Sequence, residues 1–136
     1  APSRTGHAAV TRASGEVLIL GGTAPDGTVL DSALRIDPTT LSATPVDALL
    51  SRPRTGHTAT RTGDAILVCG GRGPDKKPLA SCDVLDDKTL ARTGTLDLAA
   101  ARADHVAIPL DTGVILIAGG VGSDDKPLAQ IESYTP

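Results

Sequence analysis

The chain contains no tryptophan, no phenylalanine and no methionine, and its one tyrosine is Tyr134. Any core is therefore built from Leu, Val, Ile and Ala, and a site that needs a platform of aromatic rings has nothing to build it from. Long apolar runs are also missing. Val17–Leu20 and Val114–Ala118 are among the longest, and both are far too short to cross a bilayer, so membrane insertion is not expected. Positive charge is not in excess: 13 Lys plus Arg stand against 16 Asp plus Glu, for a formal net charge of -3. A nucleic-acid binder needs a basic face to neutralise phosphates, so no nucleic-acid partner is expected. No basic-then-apolar leader opens the chain, and any signal peptide is expected to be gone or to lie outside this stretch.

What is present reads as a folded, turn-rich domain. The 136 residues are 40% hydrophobic, too apolar for a disordered tail and enough for one domain with a modest core. Fifteen glycines and ten prolines disfavour long helices and favour short strands joined by many turns.

An internal repeat organises the chain. Gly21-Gly22 recurs as Gly70-Gly71 and again as Gly119-Gly120, at a constant interval. An apolar run precedes each pair: Val17–Leu20, Ala65–Cys69 and Val114–Ala118. Upstream stand Arg4-Thr5-Gly6-His7, Arg54-Thr55-Gly56-His57 and Arg102-Ala103-Asp104-His105. Downstream, Leu30, Leu79 and Leu128 keep the register, as do Ser32, Ser81 and Gln130.

Each unit predicts short strands. The first starts at the histidine: His7–Thr11, His57–Thr60 and His105–Ile108. A glycine turn follows, and the apolar run forms the second strand. A continuous apolar run, rather than an alternating one, predicts burial on both faces. A third strand is expected over Ser32–Asp37 and its counterparts. A weaker fourth is expected near Leu41–Val46 and Leu90–Leu96. Four strands per ~50-residue unit is the size of a propeller blade.

The order Arg-x-Gly-His, apolar strand, Gly-Gly, then Ser-x-x-x-apolar-Asp-Pro resembles the kelch repeat, and within that family the bacterial extracellular type. The resemblance covers nearly the whole chain. It implies an all-β fold of kelch-like β-propeller blades: three four-stranded units, the last lacking its fourth strand. The single domain 1–136 would divide into blades over 4–50, 54–99 and 102–136. The tyrosine position of the repeat holds Ile36 and Leu85, with Tyr134 only in the third unit, and the tryptophan beyond it is missing. The glutamate position reads Leu34, Asp83 and Glu132. A copper-dependent oxidase is among the kelch-like enzymes, but its tyrosine-based site cannot be assembled from one tyrosine.

Propellers typically close with about four to eight blades. Three blades make half or part of a propeller, with two apolar faces left over. Only Ala1-Pro2-Ser3 precede the first strand, so no stray fourth strand is expected at the N-terminus, and the sequence stops at Thr135-Pro136, inside the third blade's turn. The missing blades would come from a longer chain or from copies of this one, for example two chains making six blades by closed symmetry.

The candidate functional residues follow from the repeat. His7, His57 and His105 suggest three imidazoles around an axis, which is zinc chemistry. Yet each keeps one offset from an arginine, Arg4, Arg54 or Arg102. Residues that recur with the structural period are expected to serve the repeat, hydrogen bonding strand ends and neighbouring blades. The Gly-Gly pairs are expected to adopt positive φ or to permit close backbone approach. They lack the Gly-x-Gly-x-x-Gly, Gly-Lys-Ser/Thr or Gly-x-Ser-x-Gly context of phosphate and nucleophile motifs. No catalytic residue, metal or cofactor is expected, and Asp86-Asp87 falls in a turn where solvation accounts for both.

The loops after Gly-Gly are the candidate binding rim. They carry Asp26, then Asp75, Lys76 and Lys77, then Asp124, Asp125 and Lys126. Clustered carboxylates there suit Ca²⁺ or a basic partner, whereas isolated ones suit ordinary Asp turns. Cys69 ends a second strand and Cys82 lies in the third strand of the same unit. Antiparallel pairing would set them face to face for a disulfide, which implies an oxidising compartment, periplasmic or extracellular. The expected function is non-catalytic: a binding or assembly module with a protein partner or copies of itself. The alternative is a carbohydrate-binding or carbohydrate-modifying propeller, disfavoured by the missing aromatics. A purely architectural role is the third.

Overall fold

The computed structural model describes residues 3–136. The described chain is all-β and forms three antiparallel sheets in sequence order. Sheet I holds β1 (Ala8–Thr11), β2 (Val17–Leu20), β3 (Ala33–Ile36) and β4 (Ala43–Val46), neighbours in that order. Sheet II holds β5 (Thr58–Thr62), β6 (Ala65–Cys69), β7 (Leu79–Asp86) and β8 (Arg92–Arg102), again in chain order. Sheet III has three strands: β9 (Val106–Pro109), β10 (Ile115–Ala118) and β11 (Ile131–Tyr134), with β10 in the middle.

The turn chemistry explains the local connections. Between β5 and β6 only Gly63 and Asp64 intervene, and Gly63 takes φ 56°, a value that glycine reaches without strain. Pro45 sits within β4, an edge strand, where a missing N–H leaves no ladder bond unmade. The expected strands are present with small shifts at their ends, apart from the fourth strand of the second unit. Read as Leu90–Leu96, it runs as β8 to Arg102, past two register shifts, because pairing resumes with Leu79 opposite Arg102.

Cross-strand register assigns the faces, since residues directly opposite one another lie on one face. In sheet I, the Ala8–Leu20–Ala33–Val46 row packs toward sheet II. Leu18, Leu20 and Ala33 meet Ile66, Val68 and Leu85 of sheet II, with Leu49 and Leu50 of the connecting segment completing that cluster. The opposite face of sheet II, through Leu67, Cys69 and Cys82, packs on Ile115 and Ile117 of sheet III. Sheet II is thus covered on both faces, and four consecutive residues of β6, Ile66 to Cys69, are buried. In β2 and β10 burial alternates, because sheets I and III each have one covered face.

Candidate functional site

The recurring Arg, His and Gly-Gly residues converge at the two joints between sheets. Each arginine reaches along its own sheet to where the second and third strands end. Arg54 Nη1 donates to the carbonyls of Gly70 at 2.9 Å and Ser81 at 2.8 Å. Arg4 makes the same pair with Gly21 and Ser32, and Arg102 with Gly119 and Gln130. Arg54 and Arg102 are fully buried, and these carbonyls occupy the Nη1 donors of each.

The glycine pairs are contact points. A Cβ on Gly21 would lie 2.6 Å from the Arg54 carbonyl and 2.7 Å from His57 Cε1. At Gly70 it would meet the Arg102 carbonyl at 2.5 Å and His105 Cε1 at 2.8 Å. Gly21 and Gly70 therefore seat the histidine of the following sheet. The second glycine seats its own sheet's histidine: a Cβ on Gly71 would lie 2.8 Å from the Cβ of His57. Both glycines of each pair also have positive φ, 65° and 87° at Gly70 and Gly71. Backbone bonds complete each joint. Gly22 N–H donates to the Arg54 carbonyl and Gly71 N–H to that of Arg102. Gly56 N–H donates to the Gly6 carbonyl, and Asp104 N–H to that of Gly56.

Burial between glycine backbones makes the joint histidines hard to protonate. Burial, reinforced by Arg54, pushes His57 down to about 3, although the nearby Leu20 carbonyl favours the charged ring in part. His105 falls to about 4, by burial and the neighbouring Arg102 charge, which Asp104 partly offsets. His105 Nε2 is hydrogen bonded to the Thr58 hydroxyl of the preceding sheet at 2.9 Å. Neither ring nitrogen of His57 makes a full hydrogen bond, so the expected polar role is replaced there by packing on glycine. His57 and His105 occupy separate joints and His7 is exposed at the outer end of sheet I.

Two carboxylates hold the connecting segments. Asp83 Oδ2 accepts from the Ser51 amide at 2.9 Å and lies 3.9 Å from Arg54 Nη2. Glu132 Oε1 accepts from the Ala99 amide at 2.6 Å, and its Oε2 from Arg102 at 2.7 Å. Burial alone would raise the Glu132 pKa, but the Tyr134 hydroxyl, the Ala99 and Ala100 amides and Arg102 outweigh it and hold it below the ordinary range. Their role was missed in the sequence, where they read only as the residues at the repeat's glutamate position. A second clamp was also missed. Arg12 Nε donates to the Asp87 carbonyl at 2.9 Å, and the Ala13 amide donates to Asp87 Oδ2 at 3.1 Å. Asp87 is 2% exposed, so the solvated-turn reading fails for it, whereas half-buried Asp86 does cap its turn through the Lys88 and Thr89 amides.

The candidate loop residues are local in their bonding. Asp26 accepts from the Thr28 amide at 3.0 Å, Asp75 from Lys77 at 3.1 Å and Asp124 from Lys126 at 3.0 Å. These are Asx turns, and the Thr28 amide holds Asp26 below the ordinary carboxylate range. Gly27, Lys76 and Asp125 take the left-handed position of the three loops, at φ 90°, 67° and 59°. Among the described residues no three His, Cys, Asp or Glu side chains gather as a metal cage. One contact joins two loops: Arg72 Nη2 donates to Asp125 Oδ1 at 3.1 Å, while its Nη1 donates to the Lys76 carbonyl. A shallow cleft beside them is lined by Arg52, Pro53, Pro74, Asp75 and Leu79.

Cys69 and Cys82 are joined by a disulfide, with Cα atoms 4.1 Å apart. They are directly opposite in the β6–β7 register, and the Gly70 amide bonds to the Ser81 carbonyl just beyond them. That bond marks Cys69–Cys82 as a non-hydrogen-bonded pair, the closer of the two kinds in an antiparallel ladder. In comparisons with known proteins, no family model and no curated protein matches the chain.

Proposed function

We propose that this chain is a non-catalytic binding or assembly module whose three sheets are kelch-type blades, half or part of a β-propeller. The observation that carries this reading is the recurrence of one joint, His on Gly and Gly-Gly on Arg carbonyl, between successive sheets. Successive sheets joined by the same contacts are what radial repetition requires. The joints also absorb the arginines and two of the three histidines, leaving little acid–base chemistry free. A scaffold of this kind recognises partners through its loops. The candidate surface is the loop face with Lys76, Lys77, Lys126 and the Arg72–Asp125 contact, beside the cleft at Pro53 and Pro74. Mixed charges next to an apolar cleft suit a protein surface. The disulfide supports residence in an oxidising compartment, extracellular or periplasmic.

The test is binding by the intact chain to secreted proteins of its source and, in parallel, to a glycan array. Protein capture that falls at least tenfold in Lys76→Glu/Lys77→Glu/Lys126→Glu, with unchanged melting, is the expected result. Capture of a glycan alone would move the assignment to the carbohydrate-binding alternative.

A further inference from the structure

The two outer faces of the molecule are the two halves of the joint already used twice inside it. Consider sheet III first. Its inner face carries Ile115 and Ile117 against sheet II. Its outer face carries Val106, Ala118 and Ile131 in one cross-strand row, with Ile108 and Leu116 in the next. Val106, Ile108 and Ile131 are 54%, 48% and 67% exposed, among the few large apolar residues left exposed. At the position of Ile131, sheets I and II have Ala33 and Cys82, both fully buried. Gly119 matches Gly21 and Gly70, yet a Cβ there would meet nothing within 4 Å. The histidine seat is built and empty among the described residues.

Sheet I presents the complement. His7 matches the seated His57 and His105 but is exposed. Its outer face carries Val17, Ile19 and Ile36, half-buried, and Leu34. The Gly6, Gly56 and Asp104 backbone ladder runs one way, each amide donating to the previous carbonyl. Among the described residues its two ends are unmatched: the Gly6 amide on sheet I and the Asp104 carbonyl on sheet III.

Building on the blade reading, we infer that the outer face of sheet III binds the outer face of sheet I of a second copy, head to tail. His7 of one copy seats on Gly119 of the other, and Val106, Ile108 and Ile131 are covered. The residue at position 34 favours a separate copy over a covalent neighbour. At the internal joints Asp83 and Glu132 grip amides of the segment arriving from the preceding sheet. Sheet I has Leu34 there, apolar and without a grip for any such segment. Two copies use both faces twice and supply six sheets, within the typical range of about four to eight for a closed ring.

Light scattering after size exclusion of the intact, oxidised chain tests this. The expected mass is two chains, stable to dilution. Gly119→Asn and Ile131→Lys should each reduce it to one chain. Asn tolerates the left-handed backbone, and Ile131 is exposed within its own chain, so both variants should stay folded with the wild-type far-UV circular dichroism, their melting lowered only by the lost pairing. His7→Glu should do the same from the other side. An equimolar mixture of the Gly119→Asn and His7→Glu chains retains one good head and one good tail, and should form a pair through a single joint. A wild-type chain that stays monomeric at high concentration overturns the proposal. So does a dimer indifferent to these variants, or a mixture that does not pair. The loop-face variant Lys76→Glu/Lys77→Glu/Lys126→Glu should leave the dimer intact. Capture that survives the loop-face variant while the wild type is dimeric would sink the binding reading alone, and loss of capture in that variant with a wild type that stays monomeric would sink the joint alone.

Discussion

At the scale of the residue, the same amino acid has different worth at matched positions of the repeat. Gly70 and Gly119 are one period apart and both have positive φ, 65° and 72°. Alanine at either is strained by the left-handed backbone, at about 1–2 kcal/mol. At Gly70 its Cβ would also collide with the Arg102 carbonyl and His105, whereas at Gly119 it would enter open space. Gly70→Ala is therefore expected to lower urea stability by at least twice as much as Gly119→Ala when both are made in the His7→Glu chain, which lacks the joint between copies; equal losses would mean that the close approach is not what glycine supplies. Asp83 is the sharper case. It neutralises the fully buried Arg54 and accepts the Ser51 amide. Breaking a buried ion pair from one side leaves an uncompensated charge, so Asp83→Ala should cost about 3–5 kcal/mol in a urea titration. The recurrence of Arg, His and Gly-Gly was legible in the sequence because these residues repeat with the period. Asp83, Glu132 and Asp87 were not, because each also accepts from a backbone amide of a distant connecting segment or turn, which no side-chain pattern advertises.

At the scale of the element, register carries the consequence. Leu20–Ala33, Cys69–Cys82 and Ala118–Ile131 are the same cross-strand pair in three sheets. Only sheet II uses a covalent bond there, closing a loop with sequence separation 13. Loop-closure entropy for a loop near that length is worth about 3 kcal/mol. The pair lies in the cluster joining sheets II and III, so its apolar bulk matters as well as its bond. Reductant should lower the wild-type unfolding midpoint. A Cys69→Leu/Cys82→Ala chain, copying sheet I, should sit below the oxidised wild type and not respond to reductant. A reductant response in that variant would place the sensitivity elsewhere than this bond. Strands and facing cysteines were legible from spacing alone, since a period-two pattern and a fixed loop length set which residues oppose. The length of β8 was not. Its last residues, Ala99 to Arg102, are held by Glu132 and by the Gly71 amide. Tertiary partners decide such a strand end, and propensity does not.

At the scale of the whole molecule, the two joints share a titration. His57 and His105 are buried at successive joints, with pKa values of about 3 and about 4 against an ordinary 6.5. The unfolded chain therefore binds protons near pH 6.5 that the folded chain refuses. Stability rises with pH wherever the unfolded state holds more protons. The contribution is thus fully present above about pH 6.5 and is lost as pH falls toward 4. With both rings titrating, the slope approaches about 3 kcal/mol per pH unit in the middle of that window. Carboxylates held below their ordinary range, such as Glu132, add to the loss only at lower pH. His57→Gln/His105→Gln removes both imidazoles. That variant should be less stable than wild type at pH 7.5, where neutral histidine packs on glycine, and its stability should change much less between pH 6.5 and 4.5. Urea midpoints across that range measure both effects. A wild-type midpoint flat from pH 6.5 to 4.5 would mean that the joints open locally and let water reach the rings. The sheets would then be less tightly coupled than their shared hydrogen bonds imply.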